Sequence, residues 1–199
     1  MSSSVPFPVA LRALGLLWLF SALAVGKLQL LQRLPAPLIP VLVLGLTLLL
    51  LAAYHVSSTL RNWIDGLDLR VLVMLHVTRL VGFYFLMLEA RGGLPAVFFQ
   101  AGVGDIAVAL LALAVVLVPL TPARRLRAVT IWNVIGLMDI LLVIFSAARL
   151  ALTQPQAVRP FTELPLSLLP TLLVPLIIAT HIIIFMRIRR LTGAGRGAS

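Results

Sequence analysis

The chain has 199 residues, 61% of them hydrophobic and only 11% charged, with a mean hydropathy of +1.13; soluble domains hold roughly 45–50% apolar residues, so that class is excluded. The formal net charge of +10 would suggest nucleic acid in a soluble protein, but the basic residues gather at the ends of apolar segments, where topology and lipid headgroups account for them. Cysteine is absent, which excludes disulfides, thiolate metal centres and cysteine nucleophiles and leaves the redox compartment open.

A polar start at 1–8 contains Pro6 and Pro8. The first apolar run, 9–26, is close to the length that a hydrocarbon core of about 30 Å requires, and Arg12 sits low enough in it to snorkel to the interface. This run also resembles a signal peptide, because Ala22-Leu23-Ala24 offers a small-x-small cleavage site after Arg12. Val5, Phe7 and Val9 are too apolar for the charged region that precedes such a peptide, so retention as a span is the expectation.

Lys27, Arg33 and Pro35 form the first connection, and a second span follows at 37–55. In the next connection Asp65-Gly66 reads as a turn and Trp63 as an interfacial anchor. The third span, 69–90, reads LRVLVMLHVTRLVGFYFLMLEA. Arg91-Gly92-Gly93 and Pro95 make a short turn into a fourth span at 95–120, which TPARRLR closes before a fifth at 129–150. A loop with Pro155, Pro160 and Pro165 leads to the sixth span, 166–186, where Pro170 and Pro175 remove backbone donors and predict a kink. The tail 191–199 has almost nothing to bury and reads as disordered. The whole is expected to be one all-α domain, a polytopic transmembrane bundle of six helices with connections too short for a second domain.

Orientation follows from the basic residues. One side carries Arg12, Arg61, Arg70, Arg124, Arg125, Arg127, Arg187, Arg189, Arg190 and Arg196, the other only Lys27, Arg33, Arg91, Arg149 and Arg159. The positive-inside rule therefore places both termini in the cytoplasm and the chain in the cytoplasmic (inner) membrane. The arginines at 124–127 and 187–190 also suit anionic headgroups on that face, at about 1 kcal/mol each. Topology alone is the preferred account of them.

Depth is where function begins to show. At about 1.5 Å per residue, Arg79, Asp105 and Asp139 reach the middle of the third, fourth and fifth spans. Facing lipid, three such charges would cost roughly 8–10 kcal/mol, so they are expected to point inward, with at least one aspartate paired to Arg79. One guanidinium matches two carboxylates only by bridging them, and otherwise one acid must hold a proton or face water. A second polar layer is expected on the cytoplasmic side: His76, one helical turn before Arg79, with His181, His55 and Asn133. Together these residues predict a polar pocket open to the cytoplasm. The segments HxxR, GxGD, WNxxGxxD and PxxxxPxxxxxH form a distinctive pattern to which no activity attaches.

Each signal also has a purely structural reading. The charges could clamp helix register, and His76 and His181 could simply bond neighbouring helices, as Thr78 and Thr180 are expected to bond back to their own. Gly102 and Gly104 within an apolar span read as close helix packing rather than a phosphate loop. Phe83, Tyr84, Phe85, Phe98 and Phe99 read as packing or an interfacial belt. HExxH, GxSxG, Walker A and CxxCH motifs are all missing, so catalysis is not expected, and no metal is singled out. The leading expectation is a small proton-linked transporter or permease, with Asp105 and Asp139 exchanging a proton and Arg79 tuning them. Six spans are few for a transporter, which makes a homodimer the natural assembly. The alternatives are a b-type haem or quinone-linked redox subunit with His76 and His181 as ligands, and a membrane assembly subunit without a ligand.

Overall fold

The computed structural model describes residues 8–196, and among these the chain is all-α, without a strand. In chain order it forms α1 (Val9–Lys27), α2 (Leu38–Val56), α3 (Ser58–Gly66), α4 (Leu69–Ala90), α5 (Val97–Leu117), α6 (Pro122–Thr153) and a last span, Leu169–Thr192. That span opens with a π turn at Leu169–Leu173 and continues as α7 (Val174–Arg196). All of these except α3 are long and apolar enough to cross a membrane, so the chain is a multi-pass membrane protein. Helix is the form such segments take, because lipid offers no partner for an open backbone N–H or C=O. Large side chains left exposed on the spans, among them Leu17, Leu48 and Phe145, are suited to acyl chains.

Three stretches differ from the sequence reading. Asp65-Gly66 is not a turn but the end of α3, a nine-residue helix whose N-cap, Ser57, accepts from the Leu60 amide at 3.2 Å. The turn falls at Leu67, after which Asp68 caps α4 by accepting from the Arg70 amide at 2.8 Å. The basic segment after the fourth span belongs to α6, which begins at Pro122, a residue suited to a first helical position. There Arg125 donates to the carbonyls of Val115 and Val118, at 2.7 and 3.0 Å, and caps the end of α5. Helix α7 runs on through Arg196, where composition reads as disorder. The polar start at 1–7 and the end of the tail at 197–199 lie outside the described residues.

The chain divides into two compact units: the part up to Leu67 with Ile144–Ala179, and Asp68–Val143 with the part from Thr180 onward. In the first unit α2 packs on the π turn. Pro175 has no N–H to give the Thr171 carbonyl one turn earlier, and the Trp18 indole on α1 donates to that carbonyl instead, at 2.9 Å. The predicted proline distortion therefore appears as a widened turn held by a tryptophan. Gly26 lies where a Cβ would press on the side chains of Ser167 and Leu164, so α1 approaches the start of the last span closely. At the other end of α2, Tyr54 is fully buried and donates to Asp65 on α3 at 2.7 Å.

In the second unit the dominant contact is α4 against α5. A Cβ on Gly82 would meet the Gly102 carbonyl oxygen, and one on Gly102 would lie 2.8 Å from that of Gly82. The two backbones thus touch, as small residues permit in membranes. In α4, residues His76–Val81 are wound as a 3₁₀ helix rather than an α-helix. At three residues per turn, side chains three apart point the same way.

Candidate functional site

The six residues that the sequence marks, Arg79, Asp105, Asp139, His76, His181 and Asn133, all belong to the second unit. The glycine contact explains how the first pair meets. Arg79 precedes Gly82 by three residues and Asp105 follows Gly102 by three, so in antiparallel neighbours pinned at those glycines they lie at one level. Arg79 Nε donates to Asp105 Oδ1 at 2.6 Å.

The guanidinium also reaches α6. Its Nη1 donates to the Gly136 carbonyl at 3.0 Å and its Nη2 to Asp139 Oδ2. Arg79 therefore bridges the two acids, and each of its three nitrogens is bonded. Gly104 is what admits the second acid, because a Cβ there would collide with the Asp139 carboxylate. The arginine side chain has no exposed surface, Asp105 retains 7% and Asp139 23%, so Asp139 is the edge of the cluster. Inside an apolar helix packing, losing either partner of such a pair leaves an uncompensated charge worth about 3–5 kcal/mol.

His76, Asn133 and His181 are likewise completely buried. Asn133 takes hold of His181 twice: its Nδ2 donates to the His181 carbonyl at 3.0 Å, and its Oδ1 lies 2.7 Å from Nδ1. The amide oxygen can only accept, so the neutral ring carries its proton on Nδ1 and leaves Nε2 bare. That nitrogen has no hydrogen-bond partner. Gly136 makes room for it, since a Cβ there would come within 2.6 Å of His181 Cε1 and 3.0 Å of Nε2. The same glycine thus lends its carbonyl to Arg79 and its vacant side to His181.

His76 pairs through Nε2 with the Thr180 hydroxyl at 3.2 Å, while its Nδ1 has no partner. The two imidazoles lie in contact, with ring centroids 4.1 Å apart and planes inclined by 47°. Trp132 encloses them, edge-on to His76 at 4.9 Å and tilted over His181 at 5.4 Å. Its own indole N–H is spent on the Val108 carbonyl at 3.0 Å.

Some expectations change. His55 is exposed and belongs to the first unit. His76, Arg79, Asn133 and His181 all have zero exposure. Thr78 bonds back to the Leu75 carbonyl at 2.7 Å as predicted, but Thr180 contributes to the site. Trp132, Thr180 and the Gly136 carbonyl were not foreseen as parts of it. Trp132 could have been found by its position next to Asn133, whereas a backbone carbonyl carries no sequence signal. Among the described residues no three of His, Asp and Glu gather in a way that could hold a metal ion.

Residues 36–189 match a protein family described as a domain of unknown function, DUF8737, and the chain belongs to that family. No curated protein and no solved structure matches the chain.

Proposed function

We propose that the protein is a small proton-linked transporter or permease of the cytoplasmic membrane, with the cluster around Arg79 as its proton site. The observation that carries this reading is the bridging of two carboxylates by one guanidinium within the spans. With both acids ionised the cluster holds one negative charge in excess, and a single proton makes it neutral, which apolar surroundings favour. Asp139 is the point of exchange, because its side chain alone among the three keeps appreciable exposure. The unpartnered ring nitrogens of His76 and His181 offer the next step for the proton, with the rings held in place by Thr180 and Asn133. Two copies per assembly suit a chain with six spans, and the basic residues at 124, 127 and 187–190 suit anionic headgroups on the cytoplasmic side.

The test is electrophysiology on a solid-supported membrane carrying proteoliposomes, with rapid addition of acetate, an amino-acid mixture and monosaccharides. At least one class is expected to evoke a current that depends on the pH gradient and disappears in Asp139→Asn. A wild-type protein silent to all of them, or a current indifferent to that substitution, overturns the reading.

A second reading is an assembly subunit without transport, favoured by the burial of Arg79 and the bonding of each of its nitrogens. A charge-free cluster, with Arg79, Asp105 and Asp139 all replaced by leucine, would then keep the protein's cellular role. The haem alternative gains no support from the geometry. Axial ligation puts the macrocycle between two imidazoles, and rings whose centroids are 4.1 Å apart leave no gap for one.

A further inference from the structure

The first unit holds a cavity of about 290 Å³ between its two 3₁₀ turns, Leu30–Arg33 and Pro155–Thr162. We propose that it seats the phosphate headgroup of an anionic lipid. Its position gives the depth: α1 stops at Lys27, α2 begins at Leu38, α6 stops at Thr153 and the last span begins at Leu169. The cavity therefore lies where these spans end, at the level of headgroups.

Its walls are of two kinds. Leu34, Ile39 and Val158 provide an apolar side, and Gln156, Arg159 and Thr162 a polar one. The Thr162 hydroxyl donates to the Arg159 carbonyl at 2.7 Å and fixes the turn that carries the arginine. Among the described residues the Arg159 guanidinium has no ion pair and the Gln156 amide no hydrogen bond, so both donors remain for a ligand. Glu163, the sole acid in the connection 154–165, accepts from Gln32 Nε2 at 3.0 Å. The facing connection carries Lys27 and Arg33, outside the lining of the cavity, and has no acid. A guanidinium with an adjacent amide donor matches phosphate oxygens. The apolar wall beside them suits the first carbons of acyl chains and distinguishes a lipid from free phosphate.

Native mass spectrometry of the full chain released from detergent tests this, after incubation with phosphatidylglycerol, phosphatidylcholine or inorganic phosphate at equal concentration. Phosphatidylglycerol is expected to remain bound in preference to the other two. Arg159→Gln is expected to weaken its retention about tenfold, the effect of one charge-assisted hydrogen bond, while Arg91→Gln in the other unit leaves it unchanged. Arg159 is exposed, so the fold should tolerate the change, and thermal unfolding of each variant verifies this. Gln156→Ala, with a smaller loss expected, serves as a second probe. Equal retention by wild type and Arg159→Gln overturns the site, and inorganic phosphate bound as firmly as phosphatidylglycerol overturns its assignment to a lipid.

Discussion

The two units draw on the same apolar vocabulary and treat their polar groups in opposite ways. In the first, polar side chains act one at a time: Trp18 repairs the carbonyl that Pro175 orphans, Tyr54 ties α2 to Asp65, and Gln32 meets Glu163 near an open cavity. In the second they depend on one another. Arg79 holds two acids and a carbonyl, and beside it two histidines share a wall of Trp132, Thr180 and Asn133. Isolated bonds stabilise a fold. A group of mutually dependent charges also creates a place where one proton changes the balance of all of them.

The difference can be broken most forcefully at Arg79. Arg79→Leu leaves the buried Asp105 and the half-buried Asp139 carboxylates without their counter-charge and should cost about 3–5 kcal/mol, enough to remove most folded protein from detergent extracts. Adding Asp105→Asn and Asp139→Asn should restore much of the thermal stability, since the uncompensated charge goes with them; a triple variant no better than the single one would mean that Arg79 matters through its packing instead. Next in size is Gly82→Val, which forces α4 from α5 at the Gly102 carbonyl and should lower stability by about 3 kcal/mol through overpacking. In the first unit the effects should be smaller. Trp18→Phe removes the indole donor from the Thr171 carbonyl, for about 2 kcal/mol, and Tyr54→Phe removes one hydrogen bond, for about 1 kcal/mol. The sharpest contrast is additivity in thermal unfolding. The Trp18 and Tyr54 effects should sum, whereas those of Arg79 and Asp105 should fall well short of their sum.

Much of this was legible in the residues. Spans declare themselves by uninterrupted hydropathy, and charges near mid-span declare themselves by depth, so the six segments and the Arg79, Asp105 and Asp139 layer follow from counting. What stayed hidden depends on contacts rather than composition. STLRNWIDG is too short and too polar to signal a span, yet one polar face and a Ser57 cap suffice for α3. The opening RRLR of α6 looks like a loop because it is charged, although arginine is a good helix former once the chain leaves the hydrocarbon. Depth puts His76 and His181 in one layer, but the hydrogen bond between His76 and Thr180, 104 residues away, has no local trace. Nor does the space that Gly136 leaves for the His181 ring.

The tight winding of His76–Val81 carries one more consequence. An α-helix advances about 100° per residue and a 3₁₀ helix about 120°, so relaxing this interval would swing Arg79 about 60° relative to His76 and shorten the segment by roughly 3 Å. Neither the guanidinium nor the imidazole could stay where it is while the other moved. A change of pitch over six residues would thus act like the turn of a key, withdrawing both groups from their partners in a single motion.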